Sequence, residues 1–165
     1  MTKVDLSKYQ NNSYSPGSKL KVICWYIVNR VIYESFIPYP LKLKVYFLKL
    51  FGARIGEGFV IKPKVSIKYP WLLSIGNNVW IGEKVWIDNL AKIKIENNVC
   101  ISQGAMLLCG NHNYKKGSFD LIVGEICLEN GSWVGAKSIV GPGVTLKSHS
   151  VLSVNSVATN DLESY

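Results

Sequence analysis

Histidine and cysteine are scarce in this chain of 165 residues, which has two of the first and four of the second. Cys24, Cys100, Cys109 and Cys127 contain no C-x-x-C pair, so zinc-ribbon and thioredoxin-like redox motifs are excluded. Four irregularly spaced thiols read as ordinary small buried side chains in a reducing compartment. Long apolar runs are missing as well. The longest spans Val22 to Val28, far short of the ~20 residues a bilayer crossing needs. The first eighteen residues are polar and lack the apolar core of a secretory leader, so the expected location is the cytoplasm, with contact at the inner face of the membrane left open.

Acidic residues are sparse only at the front. Residues 1–68 hold twelve Lys and Arg against Asp5, Glu34 and Glu57, whereas the rest is close to neutral. No helix-turn-helix, zinc finger or RNP-like segment accompanies this charge, so nucleic acid is not the expected partner. The basic residues alternate with Trp25, Tyr26, Ile27, Tyr33, Phe36, Tyr46 and Phe47. That mixture fits peripheral contact with an anionic membrane, or a segment that packs on the rest of the chain.

The length suits one folded unit with two differently patterned parts, 1–52 and 53–165. After an Asn/Ser/Tyr-rich start expected to be extended, Lys19 to Phe36 has helical spacing, broken by Pro38 and Pro40. Leu41 to Phe51 reads as a second short helix ended by Gly52. Beyond Gly52 the period changes to six. Aliphatic residues recur at Ile55, Ile61 and Ile67, at Ile75, Ile81 and Ile87, and at Ile95, Ile101 and Leu107; the series resumes at Leu128, Val134, Val140, Leu146 and Leu152. A helix repeats every 3.6 residues and a strand every two, so neither explains a step of six. A chain that turns a corner after each short side does, with three sides making one triangular coil and one aliphatic per side stacking on the next coil. Small residues stand four positions after the anchors, as at Val65, Ala105 and Ser138, where a narrow interior requires them. Asn and Gly fill the expected corners at Asn78, Asn98 and Gly131. The jumps from Ile67 to Ile75 and from Ile87 to Ile95 are eight, which implies two-residue insertions and twenty-residue coils.

Between Leu107 and Leu128 the period breaks. The polar stretch 111–121, N-H-N-Y-K-K-G-S-F-D-L, is expected to leave the solenoid as a protruding loop. His112 stands at its exit, while His149 occupies an ordinary repeat position expected to face solvent. An imidazole with a near-neutral pKa can take the proton of an attacking hydroxyl, and Cys109, three residues earlier, is a rival covalent nucleophile.

The repeat, together with W-I-G-E-K-V-W-I-D-N-L (Trp80 to Leu90), N-V-C-I-S-Q-G-A (Asn98 to Ala105), G-N-H (Gly110 to His112) and G-S-W-V-G-A (Gly131 to Ala136), resembles the hexapeptide-repeat acyltransferases. Within them the chain is most similar to the colanic acid and exopolysaccharide acetyltransferases, from the S-Y-S-P-G-S segment (Ser13 to Ser18) onward. The resemblance implies an all-β left-handed parallel β-helix, a homotrimer with clefts between subunits, and acetyl-CoA as acyl donor. It implies O-acetylation of a sugar or a lipid-linked oligosaccharide by direct transfer, with His112 as general base.

Other roles carry over in the same way. Asp88 and Asn89 either hold the acceptor sugar or fix the tautomer of the histidine, and a structural capping role stays open for both. Asp120 either orients substrate or His112, or pins the loop. Trp133, Gly135, Ala136, Val154, Thr159 and Asn160 are the implied CoA-binding positions, with the Ala136 amide aimed at the oxyanion. Asn160 stands where relatives commonly have a lysine that meets phosphate, and relatives continue past Tyr165 with a further CoA-binding segment. Trp80, Trp86 and Trp133 are expected at trimer contacts. N-acetylation of an amino sugar and a noncatalytic scaffold are the alternatives. A carbonic-anhydrase-like zinc site needs three histidines where this chain has two, so no metal is expected.

Overall fold

The computed structural model describes residues 3–12 and 14–165; Ser13 of the S-Y-S-P-G-S segment lies outside them. Two helices precede the repeats, α1 (Lys19–Val28) and α2 (Leu41–Leu50). Ser18 caps α1, its side chain accepting from the Lys21 N–H at 3.3 Å. The expected helix to Phe36 ends sooner, as a π-helical turn over Asn29–Tyr33. The cause is Asn29, whose carboxamide accepts from the Ile67 N–H at 3.1 Å and donates to Glu34 at 2.8 Å. A side chain committed on both sides pulls the helix out of regular winding.

Seventeen short strands follow. The first coil is β1 (Arg54–Ile55), β2 (Val60–Ile61) and β3 (Ser66–Ile67); the second is β4 (Leu73–Ile75), β5 (Trp80–Ile81) and β6 (Trp86–Asp88). The third is β7 (Ile93–Ile95), β8 (Cys100–Ile101) and β9 (Met106–Leu108), after which β10 (Gly110–His112) and β11 (Leu121–Val123) leave the solenoid. The last two coils are β12 (Ile126–Leu128), β13 (Trp133–Val134) and β14 (Ile139–Val140), then β15 (Thr145–Leu146), β16 (Val151–Leu152) and β17 (Val157–Ala158). They form three five-stranded parallel sheets: sheet 1 is β1-β4-β7-β12-β15, sheet 2 is β2-β5-β8-β13-β16 and sheet 3 is β3-β6-β9-β14-β17.

The aliphatic ladder is the core. Ile55, Ile75, Ile95, Leu128 and Leu146 are register partners down sheet 1, and Ile61, Ile81, Ile101, Val134 and Leu152 down sheet 2. All of these are buried, as are the small residues between them. Each coil therefore buries its anchors only against its neighbours, so stability accumulates along one axis. The corners adopt positive φ at every sixth residue in long runs, including Asn78, Asn98 and Gly131. Lys64, Lys84, Lys137 and His149 take the same conformation, although side chains other than Gly and Asn rarely do. His149 is exposed at such a corner, as expected.

Close stacking explains one glycine directly. A Cβ at Gly135 would lie 2.6 Å from the Leu152 carbonyl oxygen and 2.7 Å from the Val154 nitrogen in the coil beneath. Gly135→Ala is expected to lower stability by about 1–3 kcal/mol, the usual cost of forcing atoms into a packed site, read as a lower urea midpoint at unchanged slope.

The open end of the solenoid is closed by the helices. The Trp25 indole N–H donates to the Ile67 carbonyl at 2.7 Å, so Trp25 and Asn29 together occupy the edge of β3. Covering an edge strand removes a template for aggregation. Of the two readings open for this segment, packing on the rest of the chain holds for part of its aromatic residues. Trp25 and Tyr33 are buried and face the solenoid, whereas Tyr26, Ile27, Phe36 and Tyr46 are exposed and Phe47 is half-buried.

Candidate active site

All three departures from the six-residue step fall at one edge of the prism, the corner between sheets 3 and 1. The first coil widens there between β3 and β4, the second between β6 and β7, and the third expels the β10–β11 hairpin. Stacked on one another, these insertions make a ridge along a single edge.

Asn89 binds the ridge together. It is fully buried; its Oδ1 accepts from the Tyr69 N–H at 2.9 Å and its Nδ2 donates to the Tyr69 carbonyl at 2.5 Å. With each end of the carboxamide bonded to the Tyr69 backbone, Asn89 is placed as a cap of the neighbouring insertion. Asp88, next to it, accepts from the Lys68 ammonium at 2.8 Å. It lines an open hollow of about 260 Å³ between α1 and sheet 3, with Asn29, Arg30, Glu34, Lys68 and Trp86 also on the wall. A larger groove, about 640 Å³, runs over the outer face of sheet 1 and does not include His112.

His112 ends β10 and pairs with Leu121 across the hairpin. Its Nδ1 lies 2.9 Å from the Phe119 carbonyl oxygen. A carbonyl only accepts, so Nδ1 carries a proton, and in the neutral ring the lone pair is therefore on Nε2. The imidazole lies flat on the Phe119 ring, centroids 4.4 Å apart and planes 5° from parallel, and the Tyr9 ring meets it edge-on at 5.7 Å. Phe119 adopts φ +51°, a left-handed conformation that costs a bulky residue roughly 1–3 kcal/mol. The same residue thus supplies the carbonyl and the stacking face. The orienting partner is Phe119 and not Asp88, which is engaged by Lys68. Asp120 pins the loop, its carboxylate 3.0 Å from Lys116 and its backbone carbonyl accepting from the Asn113 N–H at 2.8 Å.

A strap from the N-terminus runs along the ridge. The Trp71 indole donates to the Pro16 carbonyl at 2.6 Å and the Tyr14 hydroxyl to the Leu90 carbonyl at 2.9 Å. Tyr9 then reaches His112, and the Asp5 N–H donates to the Gly117 carbonyl at 2.8 Å. Tyr9 and Tyr14 were not legible as site residues, because an Asn/Ser/Tyr-rich stretch has no period to place it; Phe119 lay in the loop already singled out, but nothing in its sequence marked it as the partner of His112.

Comparison with known proteins decides the family. No protein-family model matches the chain. The protein named "Putative colanic acid biosynthesis acetyltransferase WcaF" of Escherichia coli (strain K12) is 31% identical over 153 residues, covering 92% of this chain and 84% of the relative. The chain belongs to the hexapeptide-repeat acetyltransferases. Galactoside O-acetyltransferase of Escherichia coli (strain K12) is 27% identical over 123 residues, 70% of this chain and 58% of that protein. A solved hexapeptide-repeat acetyltransferase from Vibrio cholerae O1 biovar eltor, complexed with acetyl coenzyme A, superposes with a TM-score of 0.81 at 18% identity, covering 96% of this chain and 87% of that one.

The positions expected to hold CoA in a member of this family stand on two edges. Trp133 lies on the outer face of sheet 2, its indole donating to the Ser102 hydroxyl at 2.9 Å, and Ala136 and Val154 follow at the corner between sheets 2 and 3. Gly135 is buried beneath them. Thr159 and Asn160 are exposed at the corner between sheets 3 and 1, two coils beyond the ridge. One chain therefore does not gather His112 with Trp133, Ala136 and Val154. The Ala136 carbonyl accepts from the Asn155 N–H at 2.9 Å, while its own N–H donates to no other group among the described residues. Lys147 is spent on Glu163 at 2.8 Å, and Lys137 is exposed with no acidic partner among the described residues.

Proposed function

We propose that the protein transfers the acetyl group of acetyl-CoA to a sugar hydroxyl in exopolysaccharide or capsule synthesis, with His112 as general base. The observation that carries this reading is the Phe119 carbonyl on His112 Nδ1, which leaves Nε2 as a proton acceptor held in one orientation. A sugar hydroxyl attacks a thioester poorly until its proton is removed. As the new C–O bond forms, Nε2 takes that proton; as the C–S bond breaks, the imidazolium returns it to the departing thiolate. No charge is left on the protein, and no acyl-enzyme is needed.

In this reading the site is completed by a second copy. His112 comes from one subunit, while Trp133, Gly135, Ala136 and Val154 come from its neighbour, because they occupy different edges of the same prism. Exposed Trp80 and Trp133 on sheet 2 and Trp86 on sheet 3 supply the apolar surface for a homotrimer. The Ala136 N–H is the donor for the oxyanion, and Lys137 meets phosphate in place of the lysine that Asn160 does not provide. Asp88 and its hollow receive the acceptor, carried on a lipid-linked oligosaccharide at the cytoplasmic face of the membrane.

The test is release of free thiol from acetyl-CoA across a panel of sugar acceptors. Acceptor-dependent release is expected, and its absence with every sugar overturns the reading. A covalent route through Cys109 has little support. That thiol is buried, donates to the Ala91 carbonyl at 3.7 Å, and is pushed up to about 11 by burial, so almost no thiolate exists at neutral pH. Cys109→Ala is expected to keep turnover within ~3-fold of wild type, and a loss of ~100-fold would restore the nucleophile.

A further inference from the structure

Helix α1 is apolar on two opposite faces. Its inner face is used on the solenoid: Trp25 is buried, as are Asn29, Ile32 and Tyr33 in the π-helical turn that continues it. On the outer face Leu20, Ile23 and Ile27, continued by Val31 in the turn, form a stripe more than half exposed throughout; Leu20 is 72% exposed. Helix α2 repeats the pattern, with Leu48 buried inside and Leu43, Tyr46 and Leu50 exposed outside. Phe36, in the connection between the helices, is 79% exposed. A helix with apolar residues on opposite faces belongs between two partners, and no residue among those described covers the outer side.

The charge beside these stripes has one sign. At 100° per residue, Lys19 borders the α1 stripe on one side, and Lys42 and Lys49 border that of α2 on one side; Arg30 follows α1 in the π-helical turn. Glu34 is the sole acidic residue between Lys19 and Leu50, and it is bound to Arg30 and Asn29. An apolar stripe bordered by cations is complementary to acyl chains beneath anionic headgroups. No helix among the described residues is long and apolar enough to cross a membrane, so the complementary mode is to lie in the interface.

We infer that the outer faces of α1 and α2 are a docking surface for an anionic phospholipid bilayer. The same segment has two jobs on two sides: Trp25 and Asn29 close the end of the solenoid, and Ile23 and Ile27 enter the lipid interface. The inference deepens the lipid-linked acceptor proposed above, since docking would hold the acetylation site at the surface where such an acceptor is carried.

Binding is tested without acetyl-CoA or sugar, so that it can fail separately from the acetyl-transfer reading. The full chain is sedimented with phosphatidylcholine vesicles with and without about one-third phosphatidylglycerol. Affinity is expected to be at least ~10-fold higher for the anionic vesicles and to fall as salt rises. Ile27→Glu is expected to abolish binding while leaving the thermal midpoint nearly unmoved, because Ile27 is more than half exposed and is not part of the buried core. Lys42→Glu with Lys49→Glu is expected to weaken anionic binding at least ~10-fold. A solvatochromic label on exposed Cys24, with Cys100 and Cys127 replaced by serine, should shift to the blue on anionic vesicles alone. Failure to bind either vesicle, or equal binding to both, overturns the inference. Concentration-dependent self-association that Ile27→Glu dissolves, without vesicle binding, would instead assign the face to a second copy.

Discussion

Replacing His112 with alanine is expected to lower turnover at least ~100-fold, the usual scale for loss of a positioned general base. The substitution removes the acceptor at Nε2 but leaves the strands that deliver it. The β10–β11 hairpin keeps its pairing of Gly110 with Val123 and Asn111 with Ile122, and the Asp5–Gly117 hydrogen bond still ties the loop to the strap. Acetyl-CoA affinity should therefore be nearly unchanged, because its expected contacts stand on another edge of the prism, at Trp133, Ala136 and Val154, or two coils beyond the ridge, at Thr159 and Asn160. Thiol-release kinetics at saturating donor separate the two quantities, and equilibrium binding of the donor checks the second. A variant that retains turnover within ~10-fold of wild type would remove His112 from the chemistry. His112→Gln sharpens the test. A glutamine can still donate to the Phe119 carbonyl, yet it cannot accept a proton near neutral pH, so a purely structural histidine would be rescued and a base would not.

Trp25→Ala carries the largest expected effect on stability, a loss of about 3–5 kcal/mol in urea unfolding. The indole is 1% exposed, packs on the Tyr33 and Phe51 rings at 5.2 Å each, and donates to the Ile67 carbonyl at the edge of β3. Alanine leaves a large cavity and an unpaired carbonyl at the end of the solenoid. In a one-dimensional array the end coil has a neighbour on one side only, so the cap contributes more than an equal area elsewhere. Trp25→Phe should retain most of the packing and lose about 1–3 kcal/mol through the orphaned carbonyl. An alanine variant with an unchanged midpoint would show that α1 does not cap the solenoid.

The solenoid was readable because its physics is local and periodic. An aliphatic every six residues, as from Ile75 to Ile81 to Ile87, demands a corner at each repeat, and the register partners obey that arithmetic through all five coils. The two eight-residue steps and the break after Leu107 were equally plain. Their common position at one edge follows from counting sides, three to a coil. Asn89 shows where that reading stops. Its neighbourhood was correctly marked as an insertion, yet whether its carboxamide met a sugar or a backbone depended on Tyr69 twenty residues earlier, which no local pattern reports.

The N-terminal strap is the opposite case. Tyr9, Tyr14 and Pro16 touch residues 103, 76 and 55 positions away through single contacts, and one contact leaves no periodic trace. Trp25 was left between two readings for a related reason. Among alternating basic and aromatic residues, composition treats Trp25 and Tyr26 alike, whereas helix phase against β3 buries one and exposes the other.

By itself, then, the amino-acid order determined the repeat, the core ladder, the corner residues and the exit point of His112, because each depends on spacing that one coil imposes on the next. Tertiary structure alone decided what surrounds the imidazole: a strained phenylalanine carbonyl, a tyrosine from the far end of the chain and an edge of the prism separate from Ala136. Those depend on contacts closed over long loops, where the energy lies in geometry and not in any recurring residue type.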